Sequence, residues 1–360
     1  MAMQLECPSC GATVKVRKGV PSVECQYCGN SIMVPGYKET SSSPAQATVF
    51  PTRSCGGTAA VLVAVSILLV VGISVFVYTM TGSAISEKSE SALPDRLEIV
   101  INEFGSAGSG PGYFLDPVCI AIDGNDRIYV GERETGRIQV FSTGGEYLRQ
   151  WTFAPGEEYY LSSMSADNKG TVYLVYGGEL IAYSGESGEL MDTLQHPEGW
   201  GFDDVDTAPD GSILASWYKN EDDIVRYDSS GEITLIVENA ISSNTGDSEL
   251  STTVAAGNLG EFFAFGSFNN IVLSFGSDGR FLDRFGSEDL FTMPSGMDVD
   301  PQGRLWISDF GNLLVFSPSG ELLNTIDPGV YVRDFVINTD LQLFGITADE
   351  TVVQLDISNY

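Results

Sequence analysis

The chain has 360 residues, with 18 Lys and Arg against 49 Asp and Glu, for a formal net charge of −31. Such acidity argues against a nucleic-acid partner, because phosphate binding needs clustered positive charge. A hydrophobic share of 43% excludes disorder of the whole chain. The lone histidine, His196, excludes any chemistry that needs two in this chain.

Residues 1–57 carry five of the six cysteines. Cys7 and Cys10 form one C-x2-C pair, and Cys25 and Cys28 form a second after fourteen intervening residues. Two close thiolate pairs suit tetrahedral Zn2+, which favours four soft ligands in closed structural sites. Gly11 and Gly29 follow the pairs, where a metal-binding knuckle needs a residue that tolerates positive φ. With short strands expected between the pairs, residues 1–35 resemble a zinc ribbon. Disulfides or a redox C-x-x-C are the competing readings, and the second lacks the βαβ context it requires.

Residues 36–57 are rich in Ser, Pro, Thr and Gly and read as a flexible linker. Cys55, just before the apolar run, is a candidate acylation site or a free thiol. Residues 59–78 follow with no charge. Twenty helical residues span about 30 Å, the thickness of a bilayer core, so a single transmembrane helix is expected over 58–79. Lys and Arg close to the two ends are balanced. The whole N-terminal tail holds five basic residues, and thiolate zinc suits a reducing compartment. Both features place the N-terminus in the cytosol and the rest outside. Residues 80–96 are a second linker.

Residues 97–360 repeat. Phe104-Gly-Ser, Phe114-Leu-Asp-Pro-Val-Cys-Ile-Ala-Ile-Asp123 and Arg127-Ile-Tyr-Val130 match Phe285-Gly-Ser, Phe291-Thr-Met-Pro-Ser-Gly-Met-Asp-Val-Asp300 and Arg304-Leu-Trp-Ile307. A strand-plus-turn signature recurs as IQVFSTGGE, LIAYSGESGE, IVRYDSSGE, IVLSFGSDGR and LLVFSPSGE, with a last copy in VVQLDIS. The second strands start near 128, 172, 213, 262, 305 and 343. A period near 40 with four short strands per unit is a propeller blade, so the expected fold is all-β with six blades. The sixth unit lacks an outer strand, and 97–104 is expected to supply it and close the ring.

This pattern resembles the NHL-repeat family of six-bladed β-propellers. Two positions depart from it. The Gly usual in the first strand is Cys119 in one unit while Gly296 is kept in another, and the Asp usual after the second strand is Asp309 but becomes Glu132.

In a propeller, the loops entering the inner strands and those joining second to third strands share one face. That face is expected to include Glu132, Arg133, Asp203, Asp204, Lys219, Asn220, Asn269, Asp309, Arg333 and Asp334. Adjacent Asp203 and Asp204 are the candidate pair for a hard cation such as Ca2+ in the channel. The resemblance implies a non-catalytic interaction platform for a protein or small ligand, and the apolar run is expected to anchor it to the membrane by one span. A calcium-dependent lactonase-like hydrolase and a single-pass sensor are the alternatives. His196 lies in a Gln-His-Pro turn and reads as a surface residue.

Overall fold

The computed structural model describes residues 3–6, 13–16, 22–24, 31–33, 99–133, 135–153, 160–219, 222–287 and 289–360. The chain divides into two units, Met1–Leu97 and Glu98–Tyr360.

In the first unit, β1 (Met3–Glu6) pairs antiparallel with β2 (Thr13–Val16), and β3 (Ser22–Glu24) pairs antiparallel with β4 (Ser31–Met33). Cys7 and Cys10 fall in sequence between the strands of the first hairpin, and Cys25 and Cys28 between those of the second. The four cysteines, Cys55 and the apolar stretch 59–78 lie outside the described residues. No helix among the described residues is long and apolar enough to cross a membrane.

The second unit is the expected six-bladed propeller. Blade one is β6 (Pro117–Ile122), β7 (Arg127–Glu132), β8 (Arg137–Ser142) and β9 (Tyr147–Thr152). Blade two is β10 (Leu161–Ala166), β11 (Thr171–Tyr176), β12 (Glu179–Ser184) and β13 (Leu190–Leu194). Blade three is β14 (Phe202–Thr207), β15 (Ile213–Trp217), β16 (Asp223–Tyr227) and β17 (Ile233–Val237). A one-turn helix, α1 (Ser242–Thr245), precedes blade four, which is β18 (Thr252–Ala256), β19 (Phe262–Gly266), β20 (Ile271–Phe275) and β21 (Phe281–Phe285). Blade five is β22 (Pro294–Val299), β23 (Leu305–Asp309), β24 (Asn312–Phe316) and β25 (Leu322–Ile326). Blade six is β26 (Val332–Ile337), β27 (Gln342–Thr347) and β28 (Val352–Asp356), completed by β5 (Val100–Phe104). β5 pairs antiparallel with β28, Phe104 opposite Val352 and Val100 opposite Leu355, so the first strand of the ring closes its last blade.

The middle strands of each blade read as near-continuous apolar runs because both of their faces are covered. In β11, Val172, Leu174 and Tyr176 pack toward blade one, while Tyr173 and Val175 pack toward blade three. Six such interblade cores close the ring, the last joining Ile120, Val130 and Phe141 to Phe344, Ile346 and Val352. Turns between first and second strands carry an Asp or Asn that folds back on its own backbone. The Oδ1 atoms of Asp123, Asp167, Asp300 and Asn338 each accept N–H groups two and four residues ahead. That is the Asx-turn chemistry that makes these residues turn formers.

Candidate functional site: the channel and its loop-lined mouth

Each inner strand uses one edge to pair with its own blade and turns the other toward the axis. Six such edges enclose a channel of about 730 Å3, lined by residues from every inner strand. A bare strand edge presents backbone N–H groups that need acceptors. Side chains of the preceding blade supply them. Asp204 Oδ2 accepts from Val254 N at 2.7 Å and Asp206 Oδ2 from Ala256 N at 2.8 Å. Asp298 Oδ2 accepts from Ile337 N at 2.7 Å, and Asp334 Oδ2 from Ile120 N at 3.0 Å. Ser163 Oγ plays the same part toward Val205 N at 3.2 Å.

Asp203 joins this series through a register shift in β14 between Phe202 and Asp204. The extra residue turns the adjacent Asp203 and Asp204 toward the same neighbour. Asp203 Oδ2 accepts from Thr252 N at 3.0 Å, two residues before Val254. Five of the six inner strands carry the shift, and β18 runs without it. Such bulges re-aim side chains where a regular pleat would alternate them.

Burial raises the pKa of these carboxyls. Asp204 and Asp334 are both pushed up to about 7, chiefly by desolvation, with backbone hydrogen bonds opposing it. Asp203 and Asp206 are raised for the same reason, and Asp298 rises well above the usual carboxylate range with Asp206 adding to the burial effect. Among the described residues, no three His, Cys, Asp or Glu side chains converge closely enough to hold a metal ion. The Asp203–Asp204 pair serves the β14–β18 seam. Cys119 also lines the channel, but burial, reinforced by Asp334 and Asp204, pushes its thiol well above the usual range. It is poorly suited to act as a nucleophile. Gly296 occupies the matching place in β22. A Cβ there would sit 3.2 Å from the Asp334 Cα, so glycine leaves room for that carboxylate.

Strands alternate in direction, so the loops entering inner strands and those joining second to third strands emerge at one end. Backbone bonds tie them together there. Arg133 N donates to Asp116 O, Ser267 N to Ser251 O and Ala348 N to Tyr331 O. The remaining expected face residues fall into two groups. Glu132 and Asp309 sit at the ends of β7 and β23 but are buried. Glu132 accepts from Leu115 N and pairs with Arg137, and Asp309 accepts from Thr292 and Met293 N. They anchor the entry loops rather than face a partner, and the change from Asp to Glu keeps that role. Arg133 forms an ion pair with Asp116 at 3.0 Å, and Arg333 lies 3.9 Å from the same carboxylate. Lys219 Nζ rests 4.8 Å from the Trp200 ring centroid, and Asn269 donates to Glu249 Oε2 at 3.0 Å. Asn220 lies outside the described residues.

His196 departs from the surface expectation. It is buried, stacks on Trp217 at 4.2 Å, and places Nε2 3.5 Å from Asp223 Oδ2. The proline turn folds its ring inward because an aromatic face was available to cover it.

Sequence reasoning missed a ring of apolar residues at the channel mouth. Leu115, Tyr160, Trp200, Leu250 and Met293 each stand one or two residues before an inner strand and are 47–59% exposed. Tyr331 holds that place in blade six, half-buried against Phe310. Phe268 and Phe310 add exposed rings from loops joining second to third strands. At the opposite end, Leu259 is the one exposed large apolar loop residue among those described. Lining up the six units at their inner strands would have shown the series.

The fold and the channel define a six-bladed β-propeller with its loops and apolar ring at one mouth. Residues 114–141, blade one from its entry loop to its third strand, match the NHL repeat. No curated protein matches the chain by sequence. Among solved structures, the chain resembles the gluconolactonase XC5397 of Xanthomonas campestris, with TM-score 0.52 and 14% identity over 66% of this chain and 85% of that one. It also resembles U3-55K, with TM-score 0.52 and 12% identity over 70% and 84%. The WD40 propeller domain of Doa1 matches with TM-score 0.50 and 13% identity over 69% and 81%. At such identities the likeness is one of fold.

Proposed function

We propose that the chain is a non-catalytic binding module whose working surface is the loop-bearing mouth of the propeller. The observation that carries this reading is the employment of the channel carboxylates. The groups that a hydrolase of this shape would need free accept backbone N–H bonds from the next blade. What the mouth offers a partner is its apolar ring, and rigid scaffolds commonly carry function on such loops. A propeller is compatible with protein binding, and the likeness to a gluconolactonase extends to the fold.

The proposal includes the N-terminal segment. Cys7, Cys10, Cys25 and Cys28 would hold one structural Zn2+, supported by the position of each pair between the strands of a hairpin. Residues 59–78 would form the single membrane span, with the N-terminus cytosolic and the propeller outside. That part rests on the length and apolarity of the segment.

A photo-crosslinking residue at Leu250 in the full chain, expressed in its own cells, should trap a specific partner, whereas one at Leu259 should not. Calcium-dependent hydrolysis of a lactone by the purified chain, abolished by Asp203→Asn, would overturn the reading. Cys25→Ser should lower the bound zinc measured by elemental analysis.

A further inference from the structure

We infer that the propeller mouth docks a basic polypeptide segment, one that carries lysine or arginine among apolar residues. This rests on the binding-module reading and names the partner's chemistry.

Three observations converge. The first is the apolar ring, which each blade supplies at the entry to its inner strand. Repetition around the axis makes it a collar rather than scattered surface residues, and scattered ones would carry no argument. The second is the charge around the collar. The exposed loop acids at this end include Glu198, Glu238, Asp247, Asp289, Asp327 and Asp349. The described basic residues here are Arg133, Arg137, Arg284, Arg333 and Lys219. Arg133 and Arg333 lie against Asp116, Arg137 is buried on Glu132, Arg284 donates to Asn244 O, and Lys219 lies on Trp200. The acids therefore outnumber the cations and leave a negative rim around an apolar centre. The third lies just inside the mouth, where Asp203, Asp204 and Asp334 are the outermost carboxylates of the channel wall.

An apolar centre within a negative rim selects its occupant. Anionic lipid and nucleic acid are repelled, and so is a second copy presenting the same acidic face. A basic segment meets complementary charge while its apolar side chains cover the collar. Trp200 already seats one ammonium group from within the chain, the Lys219 Nζ, so its ring is placed for a cation.

The test uses the full chain and short synthetic peptides. One alternates Lys with Leu and Phe, one replaces every Lys by Glu, and one keeps Lys but replaces the apolar residues by Ala. Binding is read by titration calorimetry and by the fluorescence of the protein. The Lys/Leu/Phe peptide should bind and should weaken about tenfold between low and physiological salt. The other two peptides should bind at least about tenfold more weakly. Trp200→Ala and Leu250→Ser should each weaken the binding, and Leu259→Ser at the far end should not. These positions are exposed, and unchanged circular dichroism will confirm folding. Equal binding of the Glu peptide at the collar would overturn the basic partner while leaving a binding mouth intact. Binding insensitive to the collar variants, or no binding by any peptide, would also overturn it. So would attachment of phosphatidylcholine vesicles in place of the peptides. The binding-module reading fails separately, if Leu250 yields no crosslinked partner in cells.

Discussion

Asp204 and Asp334 show how one residue type can be needed for its acceptor and resisted for its charge. Each carboxyl accepts a backbone N–H from the next blade, yet burial pushes both pKa values up to about 7. An unfolded Asp titrates near 3.9. Between those values the folded chain holds protons that the unfolded chain has released. Stability from these groups is therefore complete below about pH 4 and is lost as pH rises through about 7. Asp204→Asn keeps an oxygen for Val254 N and removes the titration. Its melting temperature should exceed that of the parent at about pH 8, by about 2–4 °C for each kcal/mol at this size, and converge with it below about pH 4. A parent and variant with parallel pH profiles would contradict the assignment. Arg137 poses the opposite case. It pairs with the fully buried Glu132 and also donates to Ser109 O and Tyr113 O. Arg137→Ala strands a buried carboxylate and should cost about 3–5 kcal/mol in chemical denaturation. Arg137→Met should cost no less, because packing cannot replace the missing charge.

The elements that matter most are the inner strands and the closing strand. β5 supplies the outer strand of blade six from the opposite end of the repeat, so it holds the ring shut. Glu103 lies opposite Val353 in that ladder. A chain beginning after Phe104 leaves β28 as an open edge and should melt at lower temperature and aggregate, as unpaired edges do. Glu103→Pro tests the same seam with less deletion, since proline removes a donor and fits a ladder poorly. Normal melting of both variants would show that the ring does not depend on this strand. Much of the architecture was legible. The middle strands announced themselves by apolar runs buried on both faces, and β5 by the Phe104-Gly105 ending it shares with Phe285-Gly286. The site was less legible. Asp203 and Asp204 stood out as adjacent acids, but nothing local reveals a bulge that turns both toward β18. Asp206 and Asp298 were passed over as ordinary strand carboxylates. Glu132 and Asp309 were assigned to the right end of the blade, but their burial depends on loops that only the folded ring brings down upon them. His196 was hidden for a similar reason, because Trp217 reaches its loop from the end of β15, the second strand of blade three.

At the scale of the molecule, the −31 is carried by the part of the chain beyond residue 78, since residues 1–57 hold 5 basic and 3 acidic side chains. The propeller stores that charge in two ways. The channel acids are relieved by protonation and backbone donors, and most of the remaining described acids are exposed to solvent, where repulsion is long-ranged and screened by salt. Raising sodium chloride from low to physiological concentration should therefore raise the melting temperature at about pH 8, where Asp204 and Asp334 are charged along with the surface acids. Near pH 5 the gain should shrink, because Asp204 and Asp334 are then largely neutral while the surface acids remain to be screened. Asp204→Asn should reduce the salt gain at pH 8 and leave it unchanged at pH 5. A salt response equal at both pH values would place the repulsion wholly on the surface and remove the channel from it. Because the exposed acids also form the rim of the mouth, the salt that relieves the fold must weaken a basic partner. Stability and affinity should then move in opposite directions across one salt titration.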